Sequence, residues 1–398
     1  MQPKKIVIVG GGSAGIMAAA QLDARFEVHL YEQGKTLGRK FLVAGKGGFN
    51  LTNQATGAAL YQQYSKVPAL QQALRQFDSQ TMRQWLHNLG IPTYVGSSGR
   101  VFPTKGTKPI QVLNAIRNHI IAKGVQLHYQ HTWQGFDTQE QLLMANKEGK
   151  VQMVQADYYI FALGGASWSV TGSNQAWLRY FEALGIATQP FQASNCGIEI
   201  PWPTAFKKRF AGQPLKNIAI QTGTTILKGE ALITEYGLEG NIIYPLVPYL
   251  RTALLQQKKA LFSVDLKPHS SLENLHKKVT HTTCIPKNYA HVLKLQKAAL
   301  ALAKLYTNKA NYLSPMAFSA AIKALKIEAT GLRPIEEAIS TIGGIATKGL
   351  KSHFSLQQKP SIFVIGEMLD WDAPTGGFLL QGCFSTASAC THYLNKQL

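Results

Sequence analysis

The segment Gly10-Gly11-Gly12-Ser13-Ala14-Gly15 constrains this chain more than any other. It follows the apolar run Ile6-Val7-Ile8-Val9 and precedes Ile16-Met17-Ala18-Ala19-Ala20, which reads as strand, glycine turn and helix. Gly10, Gly12 and Gly15 fall in the G-x-G-x-x-G spacing. The first lets the chain turn tightly, the second lets backbone approach a pyrophosphate, and the third lets the helix pack close to the strand. The phosphates then sit on the helix N-terminus, where unpaired N–H groups at Ser13 and Ala14 and the helix dipole favour negative charge.

A second strand, Val28-His29-Leu30-Tyr31, ends in Glu32, twenty residues past Gly12. A carboxylate there can accept both ribose hydroxyls of an adenosine. A glycine turn alone is weak evidence; with this second strand it predicts a bound dinucleotide.

At 398 residues the chain is long enough for two or three domains. Met1-Gln2-Pro3-Lys4-Lys5 leads straight into the first strand, with no secretory h-region and no apolar run that spans a bilayer. Cys196, Cys284, Cys383 and Cys390 show neither C-x-x-C nor metal-ligand spacing. Free thiols, no metal and a cytoplasmic location are the expectation.

The chain carries 41 basic and 21 acidic residues, unevenly spread. Residues 199–333 hold 19 and 7, whereas residues 334–398 hold 4 and 5. A net +12 in one third of the chain would concentrate polyanions there and steer nucleic acid toward it. A merely soluble, lysine-rich surface is the other reading.

Residues 70–90 read as a helix, as do Ile110–Ala122, with Ile110, Leu113, Ile116 and Ile120 on one face. Gly135 to Ala156 reads as a hairpin, and Tyr158–Leu163 as a strand ending in Gly164-Gly165. From Phe191 short alternating segments suggest a small β domain or barrel. From Ser271 to Ala324 the texture is helical, with Ser271 as a cap, a helix over Tyr289–Tyr306 and another opened by Ser314-Pro315. The chain returns through Ile339–Gly344 to an apolar strand, Ile362–Ile365, and a last helix starting near Gly376-Gly377.

Three further glycine sites favour FAD over NAD. The loop after Glu32, from Gly34 through Gly38-Arg39-Lys40 to Gly45-Lys46-Gly47-Gly48-Phe49-Asn50, offers exposed N–H groups and positive charge to a long ligand. Ala162-Leu163-Gly164-Gly165 closes a strand where backbone approaches something bulky. Gly366-Glu367 ends a late strand, placing a carboxylate where a ribityl hydroxyl can donate to it. Gly376-Gly377-Phe378 then opens a helix whose N-terminus would stabilise charge on a reduced flavin. An extended FAD needs the far C-terminus to return, because its isoalloxazine lies far from its adenine.

GGGSAG, GRKFLVAGKGGFNLTN, GEALITEYGLEGNIIY and GEMLDWDAPTGGFLLQGCFSTA together resemble the bacterial flavoprotein family that includes an aminoacetone oxidase, a bile-acid dehydroxylation flavoprotein and a large-subunit ribosomal RNA dihydrouridine synthase. The resemblance spans nearly the whole chain. It implies an α/β fold: a Rossmann-like FAD-binding domain from residues 1–190 and 336–398, an inserted β-barrel-like domain over 191–270 and 325–335, and a helical lid over 271–324. It also implies Glu32, Arg39, Lys40, Asn50, Gly366, Glu367 and Gly377 as FAD contacts. Gln33, Gly38, Thr52, Trp133, Ala162, Leu163, Gly164, Gly376 and Phe378 complete the candidate set. Many members read G-G-G-R-C-N where this chain has Gly45-Lys46-Gly47-Gly48-Phe49-Asn50, so chemistry done by that Arg and Cys does not carry over.

The flavin itself would perform the redox step, with the protein supplying orientation and a proton. NAD(P)H is a candidate electron donor. Cys383, six residues past Gly377, is either a proton donor with a lowered pKa or a small core thiol. Tyr236 and Tyr244 either face the flavin or pack the barrel core. The eleven histidines are scattered and read as structural or surface residues.

Two substrate classes remain open. One is a base in RNA, with Trp202, Phe206, Phe210 and Tyr249 stacking bases while Lys207, Lys208, Arg209 and Arg251 hold phosphates. The other is a small metabolite, an amine or an enone.

Overall fold

The structure, a computed structural model, describes residues 2–43, 49–281 and 284–398. The chain divides into two compact units, one of Met1–Gln192 with Ile339–Leu398 and one of Ala193–Ala338.

The first unit is built on a five-stranded parallel sheet. Its strands run in the spatial order Ile362–Val364, Tyr158–Phe161, Lys5–Val9, Glu27–Glu32 and Gln126–Tyr129. The two central strands are almost wholly apolar, as a sheet covered on both faces requires. Val9 pairs with Phe161 on one side and Tyr31 on the other, and Phe161 pairs with Val364. The carboxyl ends of four strands therefore meet at one level. The chain steps from Lys5–Val9 toward Glu27–Glu32 on one side and reaches Tyr158–Phe161 on the other, which opens the crevice where such sheets take ligands.

Helices Ser13–Gln21 and Phe378–Asn395 pack against each other, joining the two chain ends. Asn395 fastens the pair, its Oδ1 accepting from Asp23 N at 2.9 Å and its Nδ2 donating to Gln21 O at 3.1 Å.

Local chemistry shifts several expected elements. The helix expected over 70–90 is two, Pro68–Gln76 and Ser79–Asn88, because Asp78 caps the second by accepting from Thr81 N at 2.9 Å. The hairpin expected over 135–156 is present as Leu142–Ala145 paired with Val151–Val154, and Thr132–Phe136 extends it to a three-stranded antiparallel meander. Asp137 accepts from Gln139 N and Gln141 N, and Asn146 from Glu148 N and Lys150 N, so two side-chain-closed turns replace one. Ile110 is exposed, lying in the first turn ahead of the buried Val112, Leu113, Ile116 and Ile120.

The second unit contains a seven-stranded antiparallel sheet ordered Leu325–Ala329, Ala260–Asp265, Pro214–Thr222, Thr225–Ile233, Gly237–Glu239, Ile198–Glu199 and Gly331–Leu332. Its two edge strands follow each other in the chain, and among the described residues no ladder joins them, so the sheet stays open where a closed barrel would pair them. Leu275 and Val279 of the helix Leu272–Thr280, Leu302 of Lys297–Tyr306 and Phe318 of Pro315–Ala321 share one buried cluster with Ile220, Phe262 and Val264 of the sheet. The helix expected over Tyr289–Tyr306 breaks into Tyr289–Val292 and Lys297–Tyr306 around Lys294, whose φ is +49°.

Candidate functional site

A cleft of about 590 Å³ opens in the first unit at the carboxyl ends of its parallel strands. Each part of its floor has a local cause.

Gly10 has φ +106°, and a Cβ there would lie 2.5 Å from Ala162 O, so only glycine lets the first strand turn beside its neighbour. Gly15 is tighter: a Cβ would fall 1.9 Å from Gly10 O. Gly12 differs, because a Cβ there would meet nothing within 4 Å. Its open side faces the cleft, and the helix that starts at Ser13 has no side-chain cap, leaving its first N–H groups for an anion. Such a cradle fits a pyrophosphate.

Glu32 stands at the rim. Its Oε2 accepts from Gly11 N at 2.8 Å and its Oε1 from Gly34 N at 2.6 Å. Each carboxylate oxygen keeps a second lone pair for a ligand hydroxyl. The two amides fix the carboxylate at the turn that cradles the phosphates, an arrangement suited to an adenosine ribose.

The basic residues after Gly38 are tied down. Arg39 Nη2 donates to Val170 O at 2.8 Å, and Gln33 donates to Gly172 O. Lys40 Nζ donates to Ser167 Oγ at 2.7 Å and lies 3.4 Å from Glu367 Oε2. Lys40 and Glu367, 327 positions apart in sequence, thus form an ion pair on the cleft wall. Trp133 closes another side, packed on Phe161, Tyr180 and Phe181.

Cys383 also lines the cleft. Burial pushes its thiol well above its ordinary pKa, reinforced by the Glu367 carboxylate and only partly opposed by Lys40. Of the two readings of Cys383, its burial favours the small core thiol over the donor with a lowered pKa: desolvation outweighs the helix terminus, and the thiol keeps its proton at neutral pH.

The cleft thus gathers Gly10, Gly12, Ser13, Ala14, Glu32, Gln33, Gly38, Arg39, Lys40, Trp133, Ala162, Leu163, Gly164, Glu367 and Cys383. Other candidates sit outside its lining. Gly15 and Gly366 serve close packing; a Cβ on Gly366 would approach Ala14 Cβ to 2.8 Å. Thr52 is fully buried and donates to Gln381 Oε1 at 2.6 Å, while a Cβ on Gly377 would lie 2.4 Å from Thr52 O. The carbonyl of Phe378 accepts from Tyr64 Oη at 2.6 Å, and that of Gly376 from Asn53 Nδ2 at 3.4 Å. These contacts build the start of the C-terminal helix. Asn50 is half-buried and outside the lining, and Gly45 to Gly48 lie outside the described residues.

Tyr236 and Tyr244 belong to the second unit and are half-buried. Tyr236 donates to Glu239 and lies under the Arg333 guanidinium at 4.3 Å. The expected base-stacking surface also changes: Trp202, Phe206 and Phe210 are buried in the second unit's core, leaving Tyr249 exposed. Arg251 donates to Ala193 O at 2.9 Å, a bond within the fold. The reason is helical spacing. On Thr204–Phe210 the two Phe point inward, while Lys208 and Arg209 face solvent.

The segment 171–180 was missed in the sequence although Thr171, Gly172, Ser173, Asn174, Trp177 and Tyr180 line the cleft. It carries no motif. Its start is held by long-range bonds, Gln33 donating to Gly172 O and Arg39 to the preceding Val170 O, which leave no local signal.

Among the described residues no His, Cys, Asp or Glu cluster could hold a metal, and no helix is long and apolar enough to cross a membrane. All four cysteines are free and buried.

The sequence profile of the family described as HI0933-like protein Rossmann domain matches residues 4–393. A 3-dehydro-bile acid delta(4,6)-reductase of Clostridium scindens is 25% identical, over 96% of this chain and 97% of its own. The ribosomal RNA dihydrouridine synthase of Escherichia coli is 23% identical, over 98% of this chain and 97% of its own. Among solved structures, a 3-ketosteroid-delta4-(5alpha)-dehydrogenase of Rhodococcus jostii superposes with a TM-score of 0.50 at 12% identity, covering 98% of this chain and 99% of its own. That likeness is one of fold.

Proposed function

This chain belongs to the HI0933-like Rossmann family of FAD-dependent oxidoreductases, and from that premise we propose that it reduces a carbonyl-conjugated C=C bond, the C5=C6 bond of a uracil in ribosomal RNA. The observation that carries the substrate is the charge of the second unit. Residues 193–338 hold 19 Lys and Arg against 9 Asp and Glu, half of the chain's net +20. Such a field recruits a polyanion and has no evident use for an uncharged metabolite.

The relatives' names agree on the bond, if not on the molecule. One is a reductase of a bile acid, the other makes dihydrouridine. A ketone-conjugated alkene and uracil share an alkene polarised by a carbonyl.

In this reading the amides of Ser13 and Ala14 and the open face of Gly12 bind the FAD pyrophosphate, and Glu32 accepts from the adenosine ribose. Lys40 and Glu367 orient the far end of the cofactor, with Glu367 accepting from a ribityl hydroxyl. When bound and reduced, with NAD(P)H as the candidate electron donor, FAD would supply the hydride chemistry for the β-carbon of the polarised alkene. The protein must then deliver a proton to the α-carbon. Cys383 lies at the cleft wall, but the burial that holds its proton makes it a poor acid for that step.

Deleting the gene should remove a dihydrouridine from ribosomal RNA, read by mass spectrometry of digested nucleosides. Unchanged ribosomal RNA, together with rapid reoxidation of the reduced enzyme by a small enone, would replace this reading with the second one. A small-molecule substrate draws its support from the burial of Trp202, Phe206 and Phe210, which removes the aromatic platform expected for RNA.

A further inference from the structure

The second unit holds a smaller cleft, of about 200 Å³, that shares no residue with the flavin cleft. Lys216, Asn217, Lys267, His269, Ser270 and Lys294 contribute to its lining. Three features converge there.

The first is uncompensated charge. Among the described residues no carboxylate lines the cleft, and none of the three lysines forms an ion pair. Asp265, in the adjoining strand, is already paired with Lys323 at 2.7 Å. Lys267 is half-buried and donates from Nζ to Lys294 O at 2.6 Å. The charges of Lys278 and Lys294 add to burial in lowering its pKa. Like charges held together this way raise the local affinity for an anion.

The second is backbone shape. The strand Pro214–Thr222 bulges between Leu215 and Ile218, so Lys216 and Asn217 leave the regular ladder. Asn217 has φ +53° and Lys294 φ +49°, left-handed conformations that a lysine rarely adopts. Both strained residues belong to this cleft.

The third is a helix terminus. The ten-residue helix Lys297–Tyr306 begins after Gln296 with no side-chain cap, and Gln296 and Ala299 are on the same cleft wall. Its free N–H groups add to the lysine field.

We propose that this cleft binds a phosphate group, and that the phosphate is one of the RNA backbone. The cleft has room for a phosphate beside its three lysines. Naming RNA as the source rests on the reading of the substrate given above; the phosphate site itself does not.

The test uses the full-length FAD-loaded protein. Binding of a fluorescein-labelled single-stranded RNA is read by anisotropy across a salt series, and binding of inorganic phosphate by calorimetry. In Lys216→Gln/Lys294→Gln, RNA affinity should fall about tenfold and the log–log salt slope should shrink by about one, with an unchanged flavin spectrum. Lys348→Gln/Lys351→Gln removes the same charge from exposed positions of the first unit and serves as control. Equal losses in both variants would reduce the effect to net charge and overturn the site. Unchanged binding of both RNA and phosphate in Lys216→Gln/Lys294→Gln would overturn it as well. Loss of phosphate binding with intact RNA binding would keep the phosphate site and overturn RNA as its source. Failure of the substrate reading shows separately, as ribosomal RNA unchanged by gene deletion.

Discussion

Gly366 and Ala14, 352 positions apart, approach so closely that a Cβ on Gly366 would lie 2.8 Å from the Cβ of Ala14. The late strand Ile362–Val364 thereby delivers Glu367 to the N-terminus of the first helix. Gly366 N donates to Thr386 Oγ1 at 3.0 Å, and its carbonyl accepts from Trp371 Nε1 at 2.8 Å, so the approach is held from both sides. The cleft proposed to hold the flavin depends on this meeting.

The glycines of the first turn should separate cofactor loss from fold loss. Gly12→Val places its Cβ in open space, so the protein should fold with a Tm close to that of flavin-free wild type yet purify colourless. Gly15→Ala forces a Cβ to within 1.9 Å of Gly10 O and should destabilise the fold by about 1–3 kcal/mol or more. Flavin absorbance and thermal denaturation of the two variants check this; a yellow Gly12→Val would contradict the pyrophosphate assignment.

The thiols should be silent in the native state. All four are buried, and Cys383 and Cys390 are pushed well above the ordinary thiol range by burial. Titration with a disulfide reagent at pH 8 should label almost none in the folded protein and all four after denaturation. Fast labelling of one thiol in the native protein, mapped to Cys383, would show that its surroundings open.

Acid should weaken the first unit through His128. Its ring stacks on Tyr31 at 4.3 Å and meets His29, whose Nδ1 is 2.9 Å from His128 Nε2. Burial, followed by the neighbouring His29, His131 and Lys5 charges, lowers its pKa to about 4 from 6.5. The unfolded chain therefore binds a proton below about 6.5 that the folded chain refuses until about 4, and stability is lost as pH falls through that window. His128→Phe keeps the stack without the titration, so its Tm should vary less between pH 7 and 4. Identical pH dependence in both proteins would rule out His128 as the cause.

Reversing exposed charge on the second unit should act on RNA alone. Lys207→Glu/Lys208→Glu/Arg209→Glu alters a short helix whose Phe206 and Phe210 hold it to the core. RNA affinity and its salt slope should both drop, with flavin absorbance unchanged. An unaltered salt slope would place the RNA-binding charge elsewhere.

Legibility followed the range of the forces involved. Gly10, Gly12, Gly15 and Glu32 could be read because strand, turn and helix signals lie within about twenty residues. The chain-end return was visible through the strand Ile362–Ile365, the motif at Gly366 and Glu367, and the helix opened by Gly376-Gly377. Trp202, Phe206 and Phe210 misled because composition gives proximity to basic residues but not the face a side chain takes; the helical period sends both Phe residues inward. Thr52 and Gly377 carry a familiar pattern, yet here they pack each other and shape the last helix rather than the cleft lining. Residues 171–180 were silent, anchored at Gly172 and the preceding Val170 by Gln33 and Arg39 more than 130 positions away.

The union of both chain ends in one sheet also sets an order of events during synthesis. When the ribosome has made residue 338 the second unit is complete, while the first still lacks the edge strand Ile362–Val364 and the helix Phe378–Asn395. Its apolar central strands must wait with one neighbour missing, a condition that invites association with other chains. The insertion can condense while residues 1–192 wait, and the cleft proposed for the flavin closes only once residues 339–398 arrive. Cofactor capture would therefore follow the synthesis of the insertion, because Glu367 and Cys383 of the cleft wall lie beyond it.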